Sequence, residues 1–167
     1  EDADGIPVVN QTKDIHLKGE KFLILEVSPF LKVELDEMAM VSDGVITARV
    51  KVVRGVSKED FKSLVSKSGN YDDSYLNVTD IQLFVSQSSS CRYRARDERW
   101  SNEIKFTGKE FESSFGKTMT ITSNPKNPIP SGRKVFIRAA ARINYDTPAG
   151  SGTKRWNYSE TVEVDIP

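Results

Sequence analysis

The chain has 167 residues, and its 24 basic and 24 acidic side chains give a formal net charge of zero. A neutral chain has no general attraction for nucleic acids or anionic membranes, so we expect neither as a direct partner. The single cysteine, Cys91, excludes an internal disulfide, and no apolar run reaches the roughly 20 residues that a membrane-spanning helix needs. The length suits one domain with its own core.

The sequence begins with a polar stretch and then becomes apolar. We interpret residues 1–20 as a linker or tail and residues 21–167 as one β-domain. A short apolar run, Phe22–Val27, is followed by the strand pattern Leu31–Leu35. Pro29 lies between these runs and cannot donate a hydrogen bond to a sheet, so we predict two strand pieces separated by a bend.

A turn signal, Asp43-Gly44, precedes a run of alternating side chains at Val45–Val53. Polar residues occupy one face of this run, so it predicts a half-buried strand. Four apolar side chains share the other face: Ile46, Ala48, Val50 and Val52.

A short helix is predicted near residues 57–68. Ser57 precedes two acidic residues, an arrangement that caps a helix start and suits its dipole. Apolar residues follow with helical spacing at Phe61, Leu64 and Val65. Because a helix of about three turns is marginal alone, we expect it to pack against the strands.

Further strand patterns follow the helix. The segments Val78–Ser86 and Glu103–Phe106 are interpreted as strands, and Lys117–Thr122 is interpreted as a threonine-rich strand. A proline-rich loop over residues 124–130 then crosses to the end of the chain.

The clearest signal is a long terminal hairpin with arms Arg133–Tyr145 and Lys154–Ile166. In the first arm the odd positions from Val135 to Tyr145 are apolar, and in the second arm most even positions from Trp156 onward are apolar, so one face of the hairpin is predicted to be buried. We therefore place Trp156 in the core or at its rim. The apolar even positions of the second arm are Trp156, Tyr158, Val162, Val164 and Ile166.

Together these patterns predict an all-β fold: an antiparallel two-sheet sandwich of the immunoglobulin or fibronectin type III-like kind, with one short helical insertion near residues 57–68. A disulfide-linked immunoglobulin domain is excluded because the chain has one cysteine. A fibronectin type III-like topology fits the pattern better.

The sequence gives no support to catalysis. The single histidine, His16, lies in the polar tail, and Cys91 has no second histidine as its base. No cysteine and histidine spacing predicts a metal site. The carboxylate pairs Asp72-Asp73 and Asp97-Glu98 lack the ligand pattern of a calcium loop, so we interpret them as solvated charges. We predict a protein that is not an enzyme and needs no cofactor or metal.

The strongest candidate for function is the segment Cys91–Trp100, which combines four arginines with two aromatic residues. Arginine forks bind carboxylates and phosphates, and flat rings stack on sugars or protein surfaces. The predicted ligand-binding residues are Tyr93, Arg94, Arg96, Arg99 and Trp100.

Other readings of this region stay open. The alternative structural interpretation is a twisted edge strand, with Trp100 packed under a loop and the arginines paired with Asp97 and Glu98. Exposed rings at Tyr71 or Tyr75 are further candidates for stacking on a sugar.

Three stretches resemble one known family. Phe22–Leu35 resembles its opening pattern of an apolar strand, Val-x-Pro-aromatic and a second strand. Val45–Val53 and Val78–Ser86 resemble its next two strands. Lys134–Ile166 is similar to its closing strands, with Trp-Asn-Tyr-Ser before the last apolar alternation. The family is a group of uncharacterised surface lipoproteins of Bacteroidetes, encoded beside outer-membrane nutrient importers of the starch-utilisation type.

The resemblance implies a role and an organisation. Family members join an amino-terminal transthyretin-like or carboxypeptidase-regulatory-like domain to a carboxy-terminal fibronectin type III-like domain. Residues 1–20 would then join this β-domain to an upstream domain, with a lipidated cysteine further upstream as the membrane anchor. The implied function is non-enzymatic capture of nutrient glycans, or docking on importer proteins, at the bacterial cell surface. The alternative is a purely structural or protein-interaction spacer of a surface or adhesin-like protein.

Overall fold

The computed structural model of the protein describes residues 28–66, 70–146 and 154–167. The predicted linker at residues 1–20, the strand Phe22–Val27 and His16 lie outside the described residues, as do the helix end near residue 68 and most of the hairpin loop.

Two antiparallel sheets form the described part of the chain. The elements in chain order are β1 (Leu31–Leu35), β2 (Met40–Ser42), β3 (Val45–Arg54), α1 (Lys58–Ser66), β4 (Val78–Ser86), β5 (Asn102–Lys105), β6 (Thr118–Thr122), β7 (Arg133–Ile143) and β8 (Asn157–Ile166). One sheet contains β1, β2, β3 and β6, and the other has the strand order β5-β4-β7-β8. The predicted all-β sandwich with one short helix is confirmed.

The central strand of the first sheet is β3. It pairs with β1 over its second half, with β2 near its start, and with β6 over its middle. The Asp43-Gly44 turn connects β2 to β3, and both of its residues have positive φ, at 50° and 73°. A Cβ at Gly44 would lie 2.4 Å from the Ile129 carbonyl oxygen, so this turn needs glycine at its second position.

The helix α1 begins as its sequence predicts. The Ser57 hydroxyl accepts a hydrogen bond from the Asp60 backbone N–H at 3.0 Å and donates to the Asp60 carboxylate at 2.7 Å. Phe61 and Val65 are buried and join the main core, so the helix gains stability from packing rather than from its length.

The main core lies between the two sheets. Along β3 the four residues predicted to face inward are buried, and along β7 the odd positions from Val135 to Ile143 are buried. On β4 the inward residues are Ile81, Leu83 and Val85, each with no exposed surface. Strict alternation therefore predicted the inner faces of β3 and β7 correctly.

The second arm of the hairpin departs from that alternation. The pairing of β7 with β8 shifts by one residue between Arg138 and Ala140, which is the mark of a β-bulge. One extra residue reverses the faces, so Trp156 and Tyr158 lie on the outside of the sheet while Val162 and Val164 face the main core. Trp156 is buried as expected, but its predicted position on the same face as Val162 and Val164 is wrong.

The segment between β4 and β5 is not a strand. It forms a short 3-10 turn at Tyr93–Ala95 and a further turn before β5. The interpretation of this segment as a twisted edge strand is therefore wrong. Within the described ranges, no helix is long and apolar enough to cross a membrane.

Candidate functional site

A second group of buried side chains covers the outer face of the sheet β5-β4-β7-β8. Its members Phe84, Cys91, Ala140 and Trp156 are buried, and Tyr158 is packed against them. Both faces of β4 are therefore buried, because the 3-10 turn Tyr93–Ala95 lies over the outer face. We call Phe84, Tyr93, Trp156 and Tyr158 the outer aromatic cluster.

The four rings contact one another around Phe84. The Phe84 centroid lies 5.6 Å from that of Trp156, 5.9 Å from Tyr158 and 6.3 Å from Tyr93. The rings of Tyr93 and Trp156 are stacked, with an interplanar angle of 25° and centroids 6.3 Å apart. Tyr93 is 44% exposed, whereas Trp156 is only 6% exposed, so Tyr93 presents the accessible ring.

Arginines lie over these rings. The guanidinium carbon of Arg142 is 4.3 Å from the Trp156 centroid, and that of Arg138 is 4.7 Å from the Tyr158 centroid. Arg96 lies 4.0 Å from the Tyr93 centroid. Such contacts favour the cation over the negative ring face and hold both groups in one orientation.

A buried carboxylate supports one of these arginines. The Arg142 Nε donates to both Asp80 carboxylate oxygens, at 2.8 and 3.1 Å, and the Thr79 hydroxyl donates to the same carboxylate at 2.7 Å. The Asp80 side chain is 4% exposed, and that of Arg142 is 29% exposed. Asp80 therefore orients Arg142, whose guanidinium lies over the ring of Trp156.

The hydroxyl of Tyr158 connects the strand to the covering segment. It accepts a hydrogen bond from the Tyr93 backbone N–H at 3.3 Å. Burial raises the pKa of Tyr158, and the charges of Arg138 and Arg92 oppose that rise. The hydrogen bond from Tyr93 thus connects β8 to the segment that covers the outer face.

Cys91 anchors the covering segment. Its Sγ donates to the Phe84 carbonyl oxygen at 3.5 Å, and burial raises the pKa of the Cys91 thiol to about 12. A neutral, buried thiol is a poor nucleophile. The side chain packs the segment onto the sheet, in agreement with a structural role.

The structure separates the five predicted ligand-binding residues. Tyr93 and Arg96 belong to the outer face of β4, and Arg94 is exposed in the same 3-10 turn. Trp100 is 4% exposed and belongs to the main core, so its ring offers no stacking surface. Arg99 lies over Trp100 and forms two hydrogen bonds with the Asp97 carboxylate, at 3.0 and 2.7 Å.

Sequence reasoning missed the strand residues of this face, namely Arg138, Arg142, Trp156 and Tyr158. The two arginines occupy even positions of β7, opposite its buried residues, and Phe84 occupies the outer side of β4. The available signal was an aromatic residue, Phe84, at an outward strand position beside arginines that also face outward. It was overlooked because outward residues of a sandwich are usually solvated.

The other candidates are explained by local structure. Asp72 caps a 3-10 turn by accepting from the Ser74 backbone N–H at 2.7 Å, while Asp97 and Glu98 pair with arginines. Tyr71 and Tyr75 pack in an aromatic group with Phe61. Among residues 28–66, 70–146 and 154–167, no group of three or more metal-ligating side chains is present.

A shallow groove of about 460 Å³ lies where the edges of β1 and β8 meet. It is lined by Val33, Glu34, Leu35, Glu37, Glu160, Thr161 and Val162. Close in sequence, Met38 is 79% exposed and Met40 is 66% exposed. These two exposed apolar side chains do not belong to the outer aromatic cluster.

Three of the solved structures similar to this chain come from Bacteroides. A DUF3823 family protein of Bacteroides uniformis superimposes with a TM-score of 0.81 at 62% sequence identity, and the match covers 85% of this chain. This chain spans only 58% of the length of that protein. No protein-family model matches the chain, and no curated protein matches it.

More distant structures share the fold alone. A DUF3823 family protein of Bacteroides ovatus has a TM-score of 0.59 at 14% identity, and the match covers 98% of this chain and 71% of that protein. A second Bacteroides uniformis protein, named for a suggested carbohydrate-binding role, has a TM-score of 0.55 at 16% identity, with 84% of this chain and 59% of that protein covered.

Proposed function

We propose that this chain is the fibronectin type III-like module of a DUF3823-type protein, and that it captures nutrient glycans without enzymatic activity. The similarity to the Bacteroides uniformis protein at 62% identity supports the family. The setting that we propose is the bacterial cell surface, where a lipid anchor outside this chain holds the protein beside an outer-membrane importer.

The outer aromatic cluster carries the proposal of glycan binding. Sugars present apolar ring faces that stack on aromatic side chains, and hydroxyl or anionic groups that pair with arginine. Tyr93 supplies a 44% exposed ring, and exposed Arg92 and Arg94 flank it. Asp80 and the stacked Trp156 hold the surrounding groups in place, so binding would cost little reorganisation.

Isothermal titration with a panel of soluble bacterial-nutrient polysaccharides tests this proposal. We expect at least one polysaccharide to bind, and Tyr93→Ala to weaken that binding roughly tenfold, as the loss of one stacking contact in a polar site would. Trp156→Phe keeps a buried ring and should have the smaller effect.

Arg49→Ala is the matched control, because Arg49 is an exposed arginine on the other sheet. The polysaccharide affinity of this variant should equal that of the unaltered protein. Absence of binding across the panel, or equal loss with Arg49→Ala and Tyr93→Ala, contradicts glycan capture at this face.

A second role, docking on an importer protein, is favoured by the exposed side chains of Met38 and Met40, which follow the groove residue Glu37 closely in the sequence. Methionine side chains adapt to varied partners, and exposed apolar groups often mark protein contacts. Co-purification of the full-length protein with its importer should fall in a Met38→Ser/Met40→Ser variant. Retention of the importer by this variant contradicts docking through these residues, whereas association without glycan binding favours the spacer alternative.

A further inference from the structure

Three arginines near the outer aromatic cluster, Arg92, Arg94 and Arg138, form no ion pair with a carboxylate of the described residues. Arg133, which lies over Trp100, forms none there either. The arginines that do form ion pairs there are Arg49, Arg54, Arg96, Arg99 and Arg142.

Two of the three arginines belong to segments that meet at Tyr158. The guanidinium of Arg138 lies 4.7 Å from the centroid of the Tyr158 ring, and its Nε donates to the Ser159 carbonyl oxygen at 2.6 Å. Arg92 precedes Tyr93, whose backbone N–H donates to the Tyr158 hydroxyl at 3.3 Å.

We propose that Arg92, Arg138 and the Tyr158 hydroxyl form an anion-binding site, and that the glycan captured at this face is acidic. The anion would be a carboxylate or a sulfate carried on a sugar whose ring contacts Tyr93. This inference deepens the proposed glycan-binding function and rests on it.

Two physical features favour an anion here. The Arg138 Nε donates to a backbone carbonyl, which orients the guanidinium, and its other N–H groups have no hydrogen-bond acceptor among the described residues. Arg138 and Tyr158 are half-buried, so a charge-assisted hydrogen bond to them is screened less than in open water.

The test compares polymers that differ only in charge. Polygalacturonate carries a carboxylate on each sugar, and its carboxyl-reduced form is neutral. We expect polygalacturonate to bind at least roughly tenfold more tightly than the reduced polymer, with affinity that falls as salt is raised from 50 to 300 mM. Dextran sulfate in a third titration distinguishes sulfate recognition from carboxylate recognition.

Variants locate the binding. Arg92→Gln and Arg138→Gln should each weaken binding of the acidic polymer roughly tenfold, and Arg138→Lys should restore part of it. Arg49→Gln, which removes the same charge from the other sheet, should leave affinity unchanged. Because Arg138 is half-buried, its variants are also checked by thermal unfolding, and Arg92→Gln tests the site at an exposed position.

The outcomes separate the two proposals. Equal binding of polygalacturonate and its reduced form, lost in Tyr93→Ala, overturns the anion site and leaves glycan capture standing. Equal losses in Arg49→Gln and Arg92→Gln overturn the anion site as non-specific attraction. Binding of no polymer at all overturns glycan capture, and the anion site with it.

Discussion

The two faces of β4 are both buried, but they are built from different chemistry. Its inner face contributes Ile81, Leu83 and Val85 to the apolar core between the sheets. Its outer face carries Phe84 between buried polar residues, each of which has a partner. The Asp80 carboxylate pairs with Arg142, and the Gln82 amide donates to Glu103 at 2.8 Å.

This difference shows what each face contributes. Apolar alternation can fill a core with many combinations of side chains. The outer face instead depends on specific partners, because a buried polar group without a hydrogen bond costs about 1–3 kcal/mol. It is also covered by a loop rather than by a second sheet, so its charged groups remain within reach of a ligand.

The largest expected effects come from neighbouring residues on the two faces. Leu83→Ala should lower the free energy of unfolding by about 2–5 kcal/mol and Phe84→Ala by about 3–5 kcal/mol, since both side chains are fully buried. Only Phe84→Ala should also remove polysaccharide binding and speed labelling of the Cys91 thiol. Urea unfolding, titration calorimetry and thiol labelling measure these effects. Equal rates of Cys91 labelling in Leu83→Ala and Phe84→Ala would contradict the claim that the two faces of β4 have separate roles.

We expect a somewhat smaller loss of stability when Asp80, the carboxylate that pairs with Arg142, is replaced. Asp80→Ala leaves a half-buried guanidinium without its carboxylate, which should cost about 3 kcal/mol in unfolding free energy. The Trp156 ring should also change its surroundings. Its fluorescence is separated from that of Trp100 by measuring in a Trp100→Phe background. An unchanged emission spectrum would show that Asp80 does not position the ring.

The raised pKa of the Cys91 thiol leads us to expect that the folded state loses stability at alkaline pH. Its folded pKa, about 12, lies above the value of 9.0 for a free thiol, so the folded state retains a proton that the unfolded state releases. The stabilisation is therefore complete below pH 9 and is lost as pH rises toward 12. Between pH 9 and 11 the unaltered protein should lose roughly 1–2 kcal/mol more than Cys91→Ala does. Parallel alkaline slopes for the two proteins would contradict the thiol as the cause.

Much of the inner face was predictable from sequence, but the outer face was not. Alternation identified the buried residues of β3 and β7 because a strand with one apolar face has a period of two. The bulge in β8 has no glycine or proline to mark it, and it moved Trp156 and Tyr158 to the opposite face. Trp100 was equally ambiguous, because a tryptophan among charges suits both a binding surface and a packed loop end.

The segment Cys91–Trp100 shows why the site was predicted only in part. Local charge and aromatic content identified Tyr93 and Arg96, which do lie at the outer face. The other contributors, Arg138 and Arg142, come from β7, more than 40 positions later in the chain. Their position across from β4 depends on strand pairing, which no local pattern contains.

The smallest effect on stability is expected at Arg54, which forms an ion pair with a carboxylate, whereas Arg92 and Arg138 form none with the described residues. Arg54 lies 4.2 Å from the Phe115 centroid and is paired with Glu112 at 2.6 Å, and Lys58 pairs with the same carboxylate at 2.9 Å. The hydrogen bond from Lys58 lowers the pKa of Glu112, and the charge of Arg54 acts in the same direction. The resulting stability is present above about pH 4.5 and is lost as pH falls through the lowered folded pKa.

Because Glu112 is partly exposed to solvent, the contribution should be only about 0.2–1 kcal/mol. Glu112→Gln should therefore be slightly less stable than the unaltered protein at pH 7, and the two should converge near pH 3. Urea unfolding across this range measures the difference. Polysaccharide affinity at pH 7 should be unchanged in Glu112→Gln, because neutralising a carboxylate beside Arg54 leaves Arg92 and Arg138 untouched. A rise in affinity for acidic polymers would mean that an arginine freed from its carboxylate binds them wherever it lies. The position of Arg92 and Arg138 at the outer aromatic cluster would then not determine which ligand binds.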